Sequence, residues 1–224
     1  MKNIFPKNRT ASTTDMAEEL YITLEREASD SFVEKKSEFI GYARPCKTEE
    51  EALAFIAKIR KKHADAKHNV YAYCIKENNI MRFSDDGEPQ GTAGIPVLDI
   101  IRKTGFTDAC IVVTRYFGGI LLGTGGLVRA YSHAAKLAAE AAHIITYERF
   151  TECEVICDYT DYDKIKAVYP SFGLKVDDTV FAQDVTQKLA VRSSEAESLV
   201  GTLTELTNGA VLIDVTGDRF DFLP

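Results

Sequence analysis

What this chain lacks narrows its class before any motif is read. No apolar run in its 224 residues approaches the ~20 that a bilayer-spanning helix needs, so no membrane partner is expected. The opening segment, MKNIFPKNRTASTTDM, holds no apolar stretch of the kind a secretory leader carries. No CxxC pair occurs among the five cysteines, and His68 stands at no zinc-ligand spacing from Cys74. Thiols scattered at 46, 74, 110, 153 and 157 read as reduced and buried, which suits a cytoplasmic protein. Cys153 and Cys157 fall on one face of a strand, where packing is preferred to a redox pair.

Positive charge is scarce in the last third. Residues 150–224 carry six Lys or Arg against fourteen Asp or Glu, within an overall net charge of −7. Such a segment is a poor ligand for phosphate backbones, so any nucleic-acid contact belongs to the earlier part. Lys58, Arg60, Lys61, Lys62 and Lys67 cluster there, although a solvated helix face complementing its own dipole is the preferred reading of them.

The elements that are present suggest two domains. Residues 1–16 are polar and aperiodic, a predicted tail. Strands are expected over 21–27, 31–46, 68–76 and 80–84, with a helix after Thr48 whose cap is completed by Glu51. A helix over 91–104 holds Pro96 in its first turn, and 109–117 reads as a buried β-branched strand. An Ala-rich helix follows over 127–143. From residue 150 the pattern restarts as βαββαβ, with an Asn-Gly cap after its second helix, a ferredoxin-like unit. The fold class is therefore α+β, with an N-terminal domain over 17–148 and a C-terminal one over 149–224.

Between the buried strand and the Ala-rich helix lies TRYFGGILLGTGGLVRAY, with glycines at 118, 119, 123, 125 and 126. Thr124 occupies the position a Walker A loop reserves for lysine, and Val128 replaces the third glycine of a dinucleotide fingerprint. Both of those readings fail. Two accounts stay open. Free amides at Thr124, Gly125 and Gly126 could hold an anion at a helix start, helped by Arg115 or Arg129. Alternatively, the glycines only let strand and helix pack closely.

A second dense stretch, RFSDDGEPQGTAG, offers Asp85, Asp86 and Glu88 as metal ligands or as an acid–base set. Adjacent residues seldom converge on one ion, so a turn at Asp86-Gly87 is preferred, with Gln90 or Thr92 near the next helix cap. Arg82 is expected to neutralise part of this acidic group. Histidines 68 and 133 read as partly buried structural residues, and Tyr71, Tyr73 and Phe83 as sheet packing rather than base-stacking surfaces. No catalytic residue, metal site or cofactor is assigned.

Taken together, FSDDGEPQGTAGIP and VVTRYFGGILLGTGGLVRAY resemble the signature of the IMPACT/YigZ family in order, spacing and glycine positions, over most of residues 18–145. The last 75 residues look like the smaller domain of its bacterial members. The resemblance implies an N-terminal domain like domain IV of elongation factor G, of the ribosomal-protein second-domain type, followed by one like its domain V. It also implies a part in regulating translation, which eukaryotic members play through a starvation-sensing kinase by competing for its ribosome-associated activator. The motif face carried over comprises Arg82, Asp85, Asp86, Glu88, Gln90, Thr92, Arg115, Tyr116, Gly118, Gly119, Gly123, Gly125, Gly126 and Arg129. Two function classes follow: a non-enzymatic protein that binds RNA, the ribosome or a translation factor, and a small-molecule phosphate-binding or phosphoryl-transfer enzyme.

Overall fold

The computed structural model describes residues 20–223, and the predicted tail at 1–16 lies outside them. The described residues form two compact units, divided in sequence between Ile145 and Thr146.

The first unit runs β1 (Tyr21–Leu24), β2 (Ala28–Glu34), β3 (Ser37–Pro45), α1 (Glu49–Lys62), β4 (His68–Ile75), β5 (Ile80–Ser84), α2 (Gly94–Thr104), β6 (Ala109–Tyr116) and α3 (Thr124–Ala141). Its sheet has the order β2-β3-β6-β4-β5 and is antiparallel throughout. The central place of β6 explains its unbroken apolar run, because a strand covered on both faces needs no polar alternation. On one face α1 packs Phe55, Ile56 and Ile59 against Tyr42, Tyr73 and Val112. The other face carries α2 and α3, whose Val97, Ile101, Leu127 and Tyr131 meet Phe39, Val70, Ile111 and Val113. Alanines 134 and 138 bring α3 so near β3 that a Cβ on Gly41 would strike the Ala134 carbonyl.

Local signals set the helix ends. The Thr48 hydroxyl accepts from the Glu51 amide at 3.2 Å, while the Glu51 carboxylate accepts from the Lys47 amide at 2.7 Å. Helix α2 starts three residues later than expected, at Gly94, and neither Gln90 nor Thr92 caps it. Thr92 instead bonds back to the Pro89 carbonyl. Asp85 does the capping from a distance: its carboxylate accepts from the amides of Gly91, Ala93 and Gly94 at 2.8–3.0 Å.

The second unit takes β7 (Ile144–Cys157), α4 (Tyr159–Val168), β8 (Leu174–Phe181), β9 (Val185–Arg192), α5 (Ala196–Leu206) and β10 (Leu212–Asp221). Its strand order, β8-β9-β7-β10, is antiparallel and ferredoxin-like. Because β7 is continuous over 144–157, the expected domain boundary at 148/149 falls inside a strand. Ile165, Leu199 and Leu203 cover Cys153, Val155, Cys157 and Leu189 on one sheet face. Helix α5 is followed by Asn208 and Gly209, both with positive φ. All five cysteines are free and buried. Burial pushes the Cys46 thiol up to about 12 and those of Cys74 and Cys153 to about 11, which suppresses thiolate chemistry.

Candidate functional site

Strand β6 passes consecutive side chains to opposite faces. Arg115 therefore joins the α3 side with Ile111 and Val113, and Tyr116 joins the α1 side. The motif face expected to hold both is split by the sheet itself.

Arg115 is not an exposed cation, as the sequence suggested. It is 5% exposed, and its Nη1 donates to Glu88 Oε1 at 2.6 Å. Its guanidinium lies over the rings of Phe39 and Phe117, and its Nε is buried without a hydrogen-bond partner. Strand pairing explains the neighbourhood, since Phe39 and His68 are the direct partners of Arg115 across the ladder. Glu88 Oε1 also accepts from the Tyr131 hydroxyl at 2.8 Å and lies 3.9 Å from His68 Nε2. His68 Nδ1 faces the Asp86 carbonyl at 2.9 Å. A carbonyl only accepts, so Nδ1 carries a proton, and the Nε2 edge of the ring faces Glu88.

Above this group opens a cleft of about 430 Å³. Glu88, Arg115 and Leu127 lie low in it, while Lys67, Leu121 and Thr124 are exposed at its rim. Phe117 and Leu121 add apolar wall, at 49% and 81% exposure. Helix α3 begins at the same place. Its N-cap is Gly123 (φ +70), no side chain caps it, and its first intrahelical bond runs from the Leu127 amide to the Gly123 carbonyl. The Thr124, Gly125 and Gly126 amides thus stand at the positive end of an 18-residue helix.

The glycines divide between the two accounts left open. Gly118 is needed for packing, because a Cβ there would collide with the Lys36 carbonyl group of the β2–β3 turn. Gly123 is needed for its backbone angle at the helix start. Gly119 sits in the same loop, Gly126 packs on Leu122, and at Gly125 a Cβ would meet only Arg129 Nη1, at 3.9 Å. Arg129 itself is exposed and lines a separate depression of about 280 Å³ with Phe32, Glu34, Lys35, Leu122 and His133. The two arginines therefore serve neighbouring hollows, with Leu122 common to both.

The acidic residues do three different jobs. Asp85 anchors the start of α2, Asp86 receives Arg60 at 2.6 Å and the Asn69 amide at 2.7 Å, and Glu88 holds Arg115. Asp86 and Gly87 both have positive φ, which places the turn where it was predicted. Arg82 neutralises none of them: it points from edge strand β5 and bonds the Met81 carbonyl. Gln90 is exposed outside the cleft. Within the basic cluster, Arg60, Lys61 and Lys62 occupy the last turn of α1, and only Lys67 reaches the cleft. His133 is exposed on α3 with its ring against Phe32, not partly buried.

Phe117, Leu121 and Tyr131 were not singled out from the sequence. Tyr131 had one available signal, its place one helical turn after Leu127 on the apolar face of α3. His63 was also missed. On the α1 side of the sheet it sits in a directed chain: Lys62 Nζ donates to the Tyr42 hydroxyl, Tyr42 to His63 Nε2 at 2.6 Å, His63 Nδ1 to the Tyr116 hydroxyl at 2.9 Å, and Tyr116 to Asp65. Burial and the adjacent Lys62 lower the pKa of His63, and a proton on Nε2 would displace the Tyr42 donor.

Fold and cleft define a two-unit α+β protein in which a glycine-rich strand-to-helix loop lines a cleft above a buried arginine–carboxylate pair. Residues 35–139 match the Impact N-terminal domain, and residues 155–210 match a domain of unknown function (DUF1949). IMPACT family member YvyE of Bacillus subtilis is 37% identical over 190 residues, covering 84% of this chain and 88% of that protein. IMPACT family member YigZ of Escherichia coli is 32% identical, covering 79% and 88%. Protein IMPACT of Mus musculus is 34% identical over 96 residues, which is 40% of this chain and 30% of the mouse protein. A crystal structure described as a hypothetical protein superposes with a TM-score of 0.55 at 29% identity, covering 88% of this chain and 98% of the other. The chain belongs to the IMPACT family.

Proposed function

We propose that this protein is a non-catalytic, translation-associated regulator of the cytoplasm, which binds RNA, on the ribosome or free, through the face that carries Lys35 and Arg129 beside the glycine loop. Its family supports the association with translation. The observation that carries the RNA contact is the depression beside the glycine loop, where Lys35 and Arg129 are exposed and, among the described residues, engage no carboxylate. Glu34 on the same rim limits the local charge, so contacts to phosphates should be few. No helix among the described residues is long and apolar enough to cross a membrane.

Binding of ribosomes or single-stranded RNA, followed by sedimentation or filter retention across about 50–300 mM salt, tests the proposal. Affinity should fall with salt, and the double variant Lys35→Ala/Arg129→Ala should reduce the logarithmic slope by roughly 1.4–2. Salt-independent association, or none, would overturn it.

A further inference from the structure

The RNA-backbone contact uses Lys35 and Arg129 and leaves the larger cleft without a role. We propose that this cleft is a site for a terminal phosphate carried on a flat, apolar body: a nucleoside monophosphate, or the phosphorylated end of an RNA. The inference goes beyond the regulatory reading and does not depend on it.

Three features converge on an anion. Lys67 stands at the rim and, among the described residues, forms no ion pair. The uncapped start of α3 lines the same space through Gly123 and Thr124. Lower down, Arg115 is buried with only part of its donor fork used, and its Nε lacks any partner. Nε is sealed from solvent, so the donors a ligand in the cleft would meet are the unused hydrogens of the terminal nitrogens; a guanidinium left this incomplete on the floor of a cleft has capacity for another acceptor. Glu88 contributes an opposing negative charge, but its Oε1 is held by Arg115 and Tyr131, which leaves Lys67 and the helix start in excess.

The shape selects among anions. The cleft descends from exposed rim residues to a buried floor, so the group that approaches Arg115 must end a molecule. A diester in mid-chain would have to lead two chain arms down together. A phosphomonoester carries up to two charges and three equivalent oxygens, enough to meet Lys67 and the helix amides at once, whereas a carboxylate can serve fewer donors. Beside these donors, half-exposed Phe117 contributes an aromatic side chain, with Pro89 and Leu121 completing an apolar wall. A nucleobase stacks on such a surface with little regard to its identity. The volume, about 430 Å³, is that of a small-ligand pocket.

Calorimetric titration of the full chain with AMP, GMP, CMP and UMP, each beside its unphosphorylated nucleoside, tests the site. At least one monophosphate should bind, with its nucleoside about tenfold or more weaker. Lys67→Ala and Thr124→Asp should each lower that affinity about tenfold. Both positions are exposed, and an aspartate at a helix start favours the helix while repelling an anion. Lys35→Ala/Arg129→Ala should leave nucleotide affinity within about twofold, while weakening RNA. Hexauridylate with and without a 5′-phosphate separates the two sources. Preference for the phosphorylated oligomer over free UMP assigns the site to RNA ends, and the reverse order assigns it to free nucleotides.

Failure of every monophosphate and of inorganic phosphate to bind at about 10 mM, far weaker than any ordinary cofactor site, would overturn the inference. Nucleosides binding as well as nucleotides would do the same. Either result leaves the salt-dependent RNA contact standing, and loss of RNA binding alone leaves the phosphate site standing.

Discussion

Arg115 and Arg219 are both held by carboxylates, yet they sit in opposite situations. Arg219, on β10, is 30% exposed and donates to Asp177 through both terminal nitrogens, to Glu152 and to Asp221. Hydrogen bonding to Asp177 is the largest cause of its raised pKa. Arg115 is buried, has one carboxylate partner and keeps an unpartnered Nε. The exposed arginine is saturated by its own protein, and the buried one is not. A surface cation surrounded by three acids has no capacity left for a ligand. A buried cation with a single acid beneath an open cleft still has some.

The largest test of that contrast is Glu88→Ala. It strands a guanidinium among apolar groups and should cost about 3–5 kcal/mol by urea denaturation, because an uncompensated buried charge is the expensive product. If the loss is no greater than at an exposed pair, the distinction between the two arginines collapses.

His63 sharpens the comparison, since it is buried like Arg115 yet has both ring nitrogens partnered, by Tyr42 and Tyr116. Its pKa is lowered in the folded protein, so the unfolded chain binds the proton more readily. The stability it contributes is complete above the ordinary histidine value of about 6.5 and is lost as pH falls through the lowered folded value. Urea midpoints measured from about pH 8 to 5 should therefore decline on the acid side, and His63→Gln should flatten that decline. An unchanged slope in the variant would remove His63 as its source.

The smallest effect is expected from Arg219→Ala. Its partners are a third exposed and solvent-screened, so the loss should be at most about 1 kcal/mol in the same urea assay. A larger loss would mean that the exposed network does more for stability than its exposure suggests.

Much of the frame was legible in the residues. The β-branched run of β6, the Thr48–Glu51 cap and the βαββαβ order of the second unit each follow from local patterning. The site was only partly so. Arg115 was read as exposed because glycines follow it, whereas strand alternation after Ile111 and Val113 already directed it into the α3 face. Tyr116 was grouped with it although neighbouring strand residues face apart. Asp85, Asp86 and Glu88 form one acidic group in the sequence, but the turn splays their side chains: Asp85 caps α2 close by, while Asp86 and Glu88 find partners remote in sequence, Arg60 and Arg115. Long-range pairing of that kind leaves no periodic trace. The need for Gly118 was equally hidden, because the backbone it must clear belongs to Lys36, eighty-two positions earlier.

The alternation at the end of β6 has a genetic consequence. Deleting or inserting one residue there would exchange the two sides of the layer, presenting a phenol where the guanidinium belongs and a cation to the histidine relay. Point changes at these positions alter one compartment at a time, but a change of length corrupts both together. The strand end should therefore accept substitutions more readily than indels.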